Sequence, residues 1–310
     1  MKIIIPMAGM GKRMRPHTLT VPKPLISIAG KSIVERLVTE ISKIVKEEIE
    51  EIAYIIREDF GEEVEKNLKE ISNKLSAKSS IYYQKEAKGT AHAVFCAENS
   101  LDGNVIIAFA DTLFKADFNL NKENDATIFV KKVKNPNDFG VVKTNKENLI
   151  TDFIEKPKEF ISDLAIIGIY FFKDGKNLKK EIKYLIDNKI IVNNEYQLTD
   201  VLENMKEKNI SFKAEVVNEW LEISKSAEII NSVILEPSFI DCNVKIENSV
   251  IAKHVSIGKY TKIKNSIIEN SIIQENSIIE NANITNSMIG NFVEIRNKKV
   301  EMSVGDFNSF

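Results

Sequence analysis

Met1-Lys-Ile-Ile-Ile-Pro-Met-Ala-Gly-Met-Gly-Lys-Arg-Met-Arg-Pro16 opens the chain. Its first six residues read as a short apolar strand. The next ten form a glycine loop crowded with cations. A strand that runs straight into such a loop is suited to holding phosphate. Gly9 and Gly11 let backbone N–H groups approach an anion closely and form a nest. Lys12, Arg13 and Arg15, with Lys23 a little further on, supply positive charge. The chain has only five arginines, and two of them lie in this loop, which points to bidentate recognition of phosphate.

Two familiar glycine fingerprints do not fit. A dinucleotide-binding loop needs Gly-x-Gly-x-x-Gly, and Met14 stands where the third glycine belongs. A Walker A loop ending at Gly30-Lys31-Ser32 would need its first glycine where Leu25 stands. Gly30-Lys31-Ser32 is therefore expected to end a turn and start a helix.

Outward from this loop, strand-like and helical runs alternate to about residue 220. Strands are expected over 2–6, 52–56, 81–83, 105–110, 126–132, 139–143, 165–172 and 212–217. Helices are expected over 32–48, 60–75, 90–100, 176–188 and 198–208. The run 32–48 places Ile33, Leu37, Ile41, Ile44 and Val45 on one face, with Lys and Glu opposite. The alternation in the first half implies a parallel sheet covered on both faces. Ligands of such sheets bind beyond the C-terminal strand ends, where the glycine loop and Asp111 both fall.

Beyond about residue 227 the texture changes. Isoleucine recurs at 234, 240, 246, 251, 257, 263, 268, 273, 279, 284, 289 and 295, in steps of five or six. Ser232, Ser249 and Ser266 are spaced by 17, so three short faces make one turn. This is the hexapeptide pattern of a parallel β-helix with a triangular section, whose coils are stable only when stacked. The expected organisation is 1–227, then a β-helix over 228–297, then a tail over 298–310.

Composition sets limits. The net charge is −2 and 28% of residues are charged, so neither nucleic acid nor an anionic membrane is favoured as a partner. The two cysteines, Cys96 and Cys242, lie far apart without Cys-x-x-Cys or Cys/His spacing, which argues against zinc and disulfides. Three dispersed histidines give little support to a His-based metal site or a Ser-His-Asp triad. No apolar run approaches the ~20 residues that span a bilayer, and a cytoplasmic protein is expected.

The pattern Gly9-x-Gly11-x-Arg13-x-x-Pro16 followed by Pro22-Lys23-Pro24 resembles the start of the sugar-nucleotide pyrophosphorylases, the nucleotidyltransferases of the glucose-1-phosphate thymidylyltransferase type. The likeness spans about 220 residues and is greatest to members with a left-handed β-helix tail. It implies an α/β fold: a Rossmann-like nucleotidyltransferase domain with a mixed sheet, followed by a left-handed parallel β-helix. It implies transfer of a nucleotidyl group from a nucleoside triphosphate, dTTP or UTP, to a sugar 1-phosphate, with release of pyrophosphate. Arg13, Lys23 and Lys156 are the implied catalytic cations. Met7, Ala8, Gly9, Gly11, Gln84, Gly89 and Thr90 would hold the nucleotide, Gln84 and Gly89 at the base. Gly140, Glu155, Lys156 and Gly168 would hold the sugar phosphate. Gly168-Ile-Tyr170 and Glu195-Tyr-Gln-Leu-Thr-Asp200 also match the sugar side.

Several of these residues have plainer readings. Gln84 reads equally as a strand-end surface residue, Thr90 and Thr199 as helix N-caps, and Glu155-Lys156 as a solvated turn. His92 reads as a supporting or solvent-facing residue. Asp111, an acid ending a buried strand beside a phosphate loop, is either a turn residue or a natural Mg²⁺ ligand. Its family position is that of the metal-binding Asp, although the preceding residue is Ala110 rather than the usual Gly. The second metal carboxylate in relatives belongs to Trp-Leu-Asp-x-Gly. Here Trp220-Leu-Glu-Ile-Ser224 puts Glu222 in that place, one methylene longer.

Two other functions are consistent with these departures and with the tail. One is a weakly active or non-catalytic nucleotide-binding homologue, suggested by Glu222 and Ser224. The other is a bifunctional enzyme with acyl transfer in the β-helix, for which His254 is the candidate base. Stacked coils end in open edges, so a homo-oligomer is expected.

Overall fold

The computed structural model describes residues 1–9, 18, 21–28, 31–110, 112, 114, 119–133, 136–192, 194–217, 222–223, 227–235 and 237–297. Of the residues singled out above, Gly11, Lys12, Arg13, Met14, Arg15, Pro16, Gly30, Asp111, Trp220, Leu221 and Ser224 lie outside them, as does the tail 298–310, and of Glu222 only the backbone is described. The chain divides into two compact units, Met1–Ile26 with Ile33–Asn218, and Ser27–Ser32 with Glu219–Phe310.

In the first unit, β1 (Lys2–Pro6) is an inner strand of a mixed sheet. Its Ile3, Ile4 and Ile5 are fully buried, because both faces are covered. Two crossing segments, β2 (Ser27–Ile28) and β3 (Lys31–Ser32), form a small antiparallel hairpin that belongs to the second unit. Residues 31–32 are thus strand, and the helix expected to begin there, α1 (Ile33–Val45), starts at Ile33. Its apolar stripe includes Val34, Leu37, Val38 and Ile41, all buried. Then come β4 (Glu51–Ile56), α2 (Glu62–Lys74), β5 (Lys78–Tyr83), α3 (Thr90–Phe95) and β6 (Val105–Ala108). The helix expected over 90–100 is shorter: α3 ends at Phe95, and Glu98–Ser100 is a separate 3₁₀ turn.

Strands β6, β1, β4 and β5 are parallel neighbours, as the β-α alternation implies. The parallel reading ends there. β7 (Ala126–Lys132), β8 (Gly140–Thr144), β9 (Ile150–Glu155) and β10 (Leu164–Phe172) follow without crossover helices, so they pair antiparallel: β10 with β6, β7 and β8, and β8 with β9. After α4 (Gly175–Asp187) and α5 (Leu198–Glu207), β11 (Phe212–Val216) joins the edge parallel to β7. The order is β11-β7-β10-β6-β1-β4-β5. β9 is only partly buried along much of its length. It has no sharp apolar alternation, and the sequence reading has no strand there.

The C-terminal ends of the parallel strands form one row. The Met7 N–H donates to the Ile55 carbonyl at 2.8 Å, Gln84 to Ile56 at 2.9 Å and Ala110 to Pro6 at 3.4 Å. The segments that continue from β1, β5 and β6 therefore leave the sheet side by side.

The second unit is a parallel β-helix. Fourteen described strands, Glu222–Ile223 to Glu294–Arg296, stack in three parallel sheets of five, five and four. Ile240, Ile246, Ile251, Ile257, Ile263, Ile268, Ile273 and Ile279 fill its axis, each at most 1% exposed. The corners need left-handed backbone, and asparagine supplies it at Asn231, Asn248, Asn265 and Asn281, with φ between 46° and 54°. Their amides bond from coil to coil: Asn231 to Asn248 at 2.8 Å, Asn265 to Asn281 at 3.1 Å. One residue on, Ser232, Ser249 and Ser266 each accept from the backbone N–H of the next coil at 3.0–3.1 Å. The repeated Asn-Ser thus satisfies backbone and side-chain groups that a prism without helices would otherwise leave open. No described helix is long and apolar enough to cross a membrane.

Candidate active site

The antiparallel half of the sheet builds a cavity of about 650 Å³. Segments distant in sequence line it: Thr90 from α3, Gly140 from β8, Glu155 from β9 and Gly168 from β10, with Thr199 from α5. The sequence reading assigns the first four to substrate and Thr199 to a helix cap. Gly140 pairs directly with Glu155 across β8 and β9. A Cβ at 140 would stand 3.0 Å from the Glu155 Oε2 and 3.4 Å from Ile166 Cδ1, so the glycine makes room for the carboxylate. The Glu155 side chain is 32% exposed and pairs with Lys156 Nζ at 3.7 Å. Lys156 itself is 66% exposed and has a left-handed backbone, φ 44°.

Gly168 sits at φ 79°, where β10 shifts register against β7 between Ile166 and Tyr170. Its carbonyl accepts from the Phe109 N–H at 2.9 Å, and the Thr112 hydroxyl donates to the Ile167 carbonyl at 2.5 Å. A glycine is required because a side chain would press on Phe109 at 3.3 Å in a backbone conformation that other residues avoid. The bulge turns the strand and opens the cavity wall. Tyr170 lines the cavity and is 6% exposed. Burial raises its phenol pKa, and the Glu155 charge adds to the effect, so it stays a neutral donor.

The two threonines do not cap helices by the expected route. Gly89 precedes α3, and Thr90 lies inside its first turn. The Thr90 hydroxyl instead accepts from the Leu198 N–H at 2.9 Å, at the start of α5. It thereby caps a different helix. Thr199 is inside the first turn of α5, which Gln197 precedes. Its Oγ1 is buried without a hydrogen-bond partner among the described residues, on the cavity wall. Burial also raises the Asp200 pKa. Gly89, at φ 109°, is dictated by packing: its Cβ position lies 2.5 Å from the Tyr196 carbonyl oxygen. Ala91 N–H donates to that carbonyl at 3.0 Å, and Tyr196 N–H donates to the Lys88 carbonyl at 2.8 Å. The α3 and α5 entries are thus sewn together beside the cavity.

On the strand-end row, Met7 is 3% exposed, and a Cβ at Gly9 meets nothing within 4 Å among the described residues. Ala8 lies between them. Lys23 starts a 3₁₀ turn, Lys23–Leu25, after Pro22. The Gln84 side chain meets His92, Nε2 to Nδ1 at 3.2 Å. Burial lowers the His92 pKa, aided by Lys88 and opposed by Glu86. Cys96 is partly buried, and burial raises its thiol pKa.

Sequence reading missed Phe109 and Lys131, which also line the cavity, as do Phe139, next to Gly140, and Gln197, inside the stretch matched to the sugar side. Lys131 and Val133, two apart on β7 and just beyond it, carried a period-two signal; Phe109 is marked only by tertiary contact. Among the described residues no three of His, Cys, Asp and Glu cluster as a metal site. Asp111 and the side chain of Glu222, the carboxylates expected to bind metal, fall outside that description, and the Glu222 backbone lies on the first strand of the β-helix.

Residues 2–231 match the family described as Nucleotidyl transferase. The chain is 30% identical over 255 residues to the bifunctional protein GlmU of Methanocaldococcus jannaschii, covering 82% of this chain and 59% of the relative. It is 28% identical over 243 residues to the mannose-1-phosphate guanylyltransferase catalytic subunit beta of Drosophila pseudoobscura pseudoobscura, covering 76% and 62%. The chain spans about three fifths of the length of these relatives. A solved nucleoside-diphosphate-sugar pyrophosphorylase from Vibrio cholerae RC9 shares the fold, with a TM-score of 0.59 and 18% identity over 69% of this chain and 91% of that one.

Proposed function

As the chain belongs to the nucleotidyl transferase family, we propose that it transfers a nucleotidyl group from a nucleoside triphosphate, UTP or dTTP, to a sugar 1-phosphate. The observation that carries this reading is the cavity. It joins Gly140, Glu155 and Gly168, three residues assigned to the sugar phosphate, with Thr90 from the nucleotide side.

In this reaction a phosphate oxygen of the sugar 1-phosphate attacks the α-phosphorus. The bond from that phosphorus to the bridging oxygen of the β-phosphate breaks, and pyrophosphate leaves. The attacking phosphate is already anionic near neutral pH, so no protein base is needed. Positioning and charge matching supply the rate. Arg13 and the N–H groups of the Met7–Gly11 loop hold the leaving pyrophosphate. Lys23 and Lys156 bring the two phosphates together. Glu155 accepts from sugar hydroxyls, with Gly140 leaving space for its carboxylate. Gln84 reads the base edge. Asp111 and Glu222 are the residues that would hold Mg²⁺, which when bound neutralises phosphate charge and polarises the phosphorus. The β-helix serves stability and assembly into a homo-oligomer.

A pyrophosphate-release assay across nucleoside triphosphates and sugar 1-phosphates tests the reading. Turnover with UTP or dTTP and at least one sugar 1-phosphate is expected. Absence of release with every pair overturns it. Acetyl-CoA consumption lost in His254→Ala would overturn the structural role given to the β-helix.

A further inference from the structure

The contact between Gln84 and His92 crosses from the end of β5 to the first turn of α3. An amide nitrogen donates only. The 3.2 Å approach of Gln84 Nε2 to His92 Nδ1 is therefore a hydrogen bond only when Nδ1 keeps its lone pair, in the neutral Nε2–H tautomer. The surroundings favour the neutral ring. Burial disfavours the imidazolium, the Lys88 ammonium acts in the same direction, and Glu86 opposes it. The elements packed on α3 are β1, α4 and α5. Among the described residues they add no charge acting on the ring.

A free glutamine amide can turn by half a revolution and exchange its donor and acceptor. Gln84 bonded to the Nε2–H tautomer of neutral His92 cannot. One N–H goes to the imidazole, leaving the second N–H and Oε1 in a fixed order. Its backbone is held as well, by the Gln84 N–H bond to Ile56. We infer that His92, held in its Nε2–H tautomer, fixes the orientation of the Gln84 amide and so restricts the nucleobase to one order of donor and acceptor. That order is a carbonyl beside a ring N–H, as in uracil and thymine. Cytosine presents the reverse, an amino group beside a bare ring nitrogen. The inference rests on the proposed reading that Gln84 faces the base, and it makes His92 a positioning residue for specificity. Protonated His92 would donate from Nδ1. The amide would then turn Oε1 toward it, and the order offered to the base would reverse.

Equilibrium binding of UTP and CTP, with pyrophosphate release in parallel, tests this between about pH 5 and 8. Triphosphate ionisation is common to both ligands and cancels in their affinity ratio. The parent should prefer UTP at the upper end, and the preference should fall about tenfold on acidification. His92→Phe should show the low ratio at every pH. A parent ratio that does not change with pH, or a His92→Phe protein with the parent ratio, overturns the inference. Should His92→Phe not fold, the pH dependence of the parent ratio decides. A parent that binds UTP selectively but releases no pyrophosphate fails the transfer reading alone, and the binding ratios still decide His92. A parent that binds neither nucleotide overturns both.

Discussion

Gly140 and Glu155 face each other across a two-strand pair, with the Glu155 Oε2 only 3.0 Å from where a side chain at 140 would begin. The glycine and the carboxylate are thus one device: the first sets how far the second reaches into the cavity. Gly140→Ala needs no unusual backbone, so it should fold with little change in thermal stability. Displacing the carboxylate should raise KM for the sugar 1-phosphate roughly tenfold, the size of one lost charged hydrogen bond. An unchanged KM would separate Glu155 from the sugar.

Arg13→Ala should leave the melting temperature unchanged and lower turnover by on the order of 10²–10³, the usual effect of removing one well-placed group that meets developing charge. Steady-state pyrophosphate release measures it. Near-normal turnover would remove Arg13 from the leaving-group site.

Asp111→Ala should abolish Mg²⁺-dependent activity, whereas Glu222→Asp should preserve or improve it, since the shorter acid is the one relatives use at that place. A Mg²⁺ titration of activity distinguishes the two. If Glu222→Ala gives the same titration curve as the parent, residue 222 is not a ligand.

Asn265 sits in the middle of the corner stack, donating to Asn281 at 3.1 Å with φ 49°. Asn265→Ala loses that bond and places an alanine in left-handed backbone. It should cost about 2 kcal/mol in thermal or denaturant unfolding. Asn265→Gly removes the bond but not the backbone fit, and should cost less. Equal losses for the two would mean that the corner conformation contributes nothing.

Much of this molecule is legible in its sequence because the signals are periodic. The five-to-six-residue isoleucine repeat matches the observed axis, from Ile240 to Ile279, residue for residue. The alternation of strands and helices likewise locates β1, β4, β5 and β6, since each must bury an apolar face at a fixed spacing. The cavity is legible only in pieces. Gly140, Glu155 and Gly168 stand out one by one, by motif, with no indication that β9 is a strand or that Gly140 and Glu155 are partners.

Local sequence determines which backbone each segment prefers and which faces must be buried. It carries no record of contacts between segments far apart, because those are chosen by the summed packing of the whole chain. The Thr90 hydroxyl bonds a helix 108 residues away. Gly89 is a glycine because Tyr196 passes over it. Gln274 donates to the Ser27 carbonyl at 2.8 Å, 247 residues distant, so the hairpin Ser27–Ser32 belongs with the β-helix. In each case the residue type is local, and the partner that gives it meaning was decided only by tertiary structure.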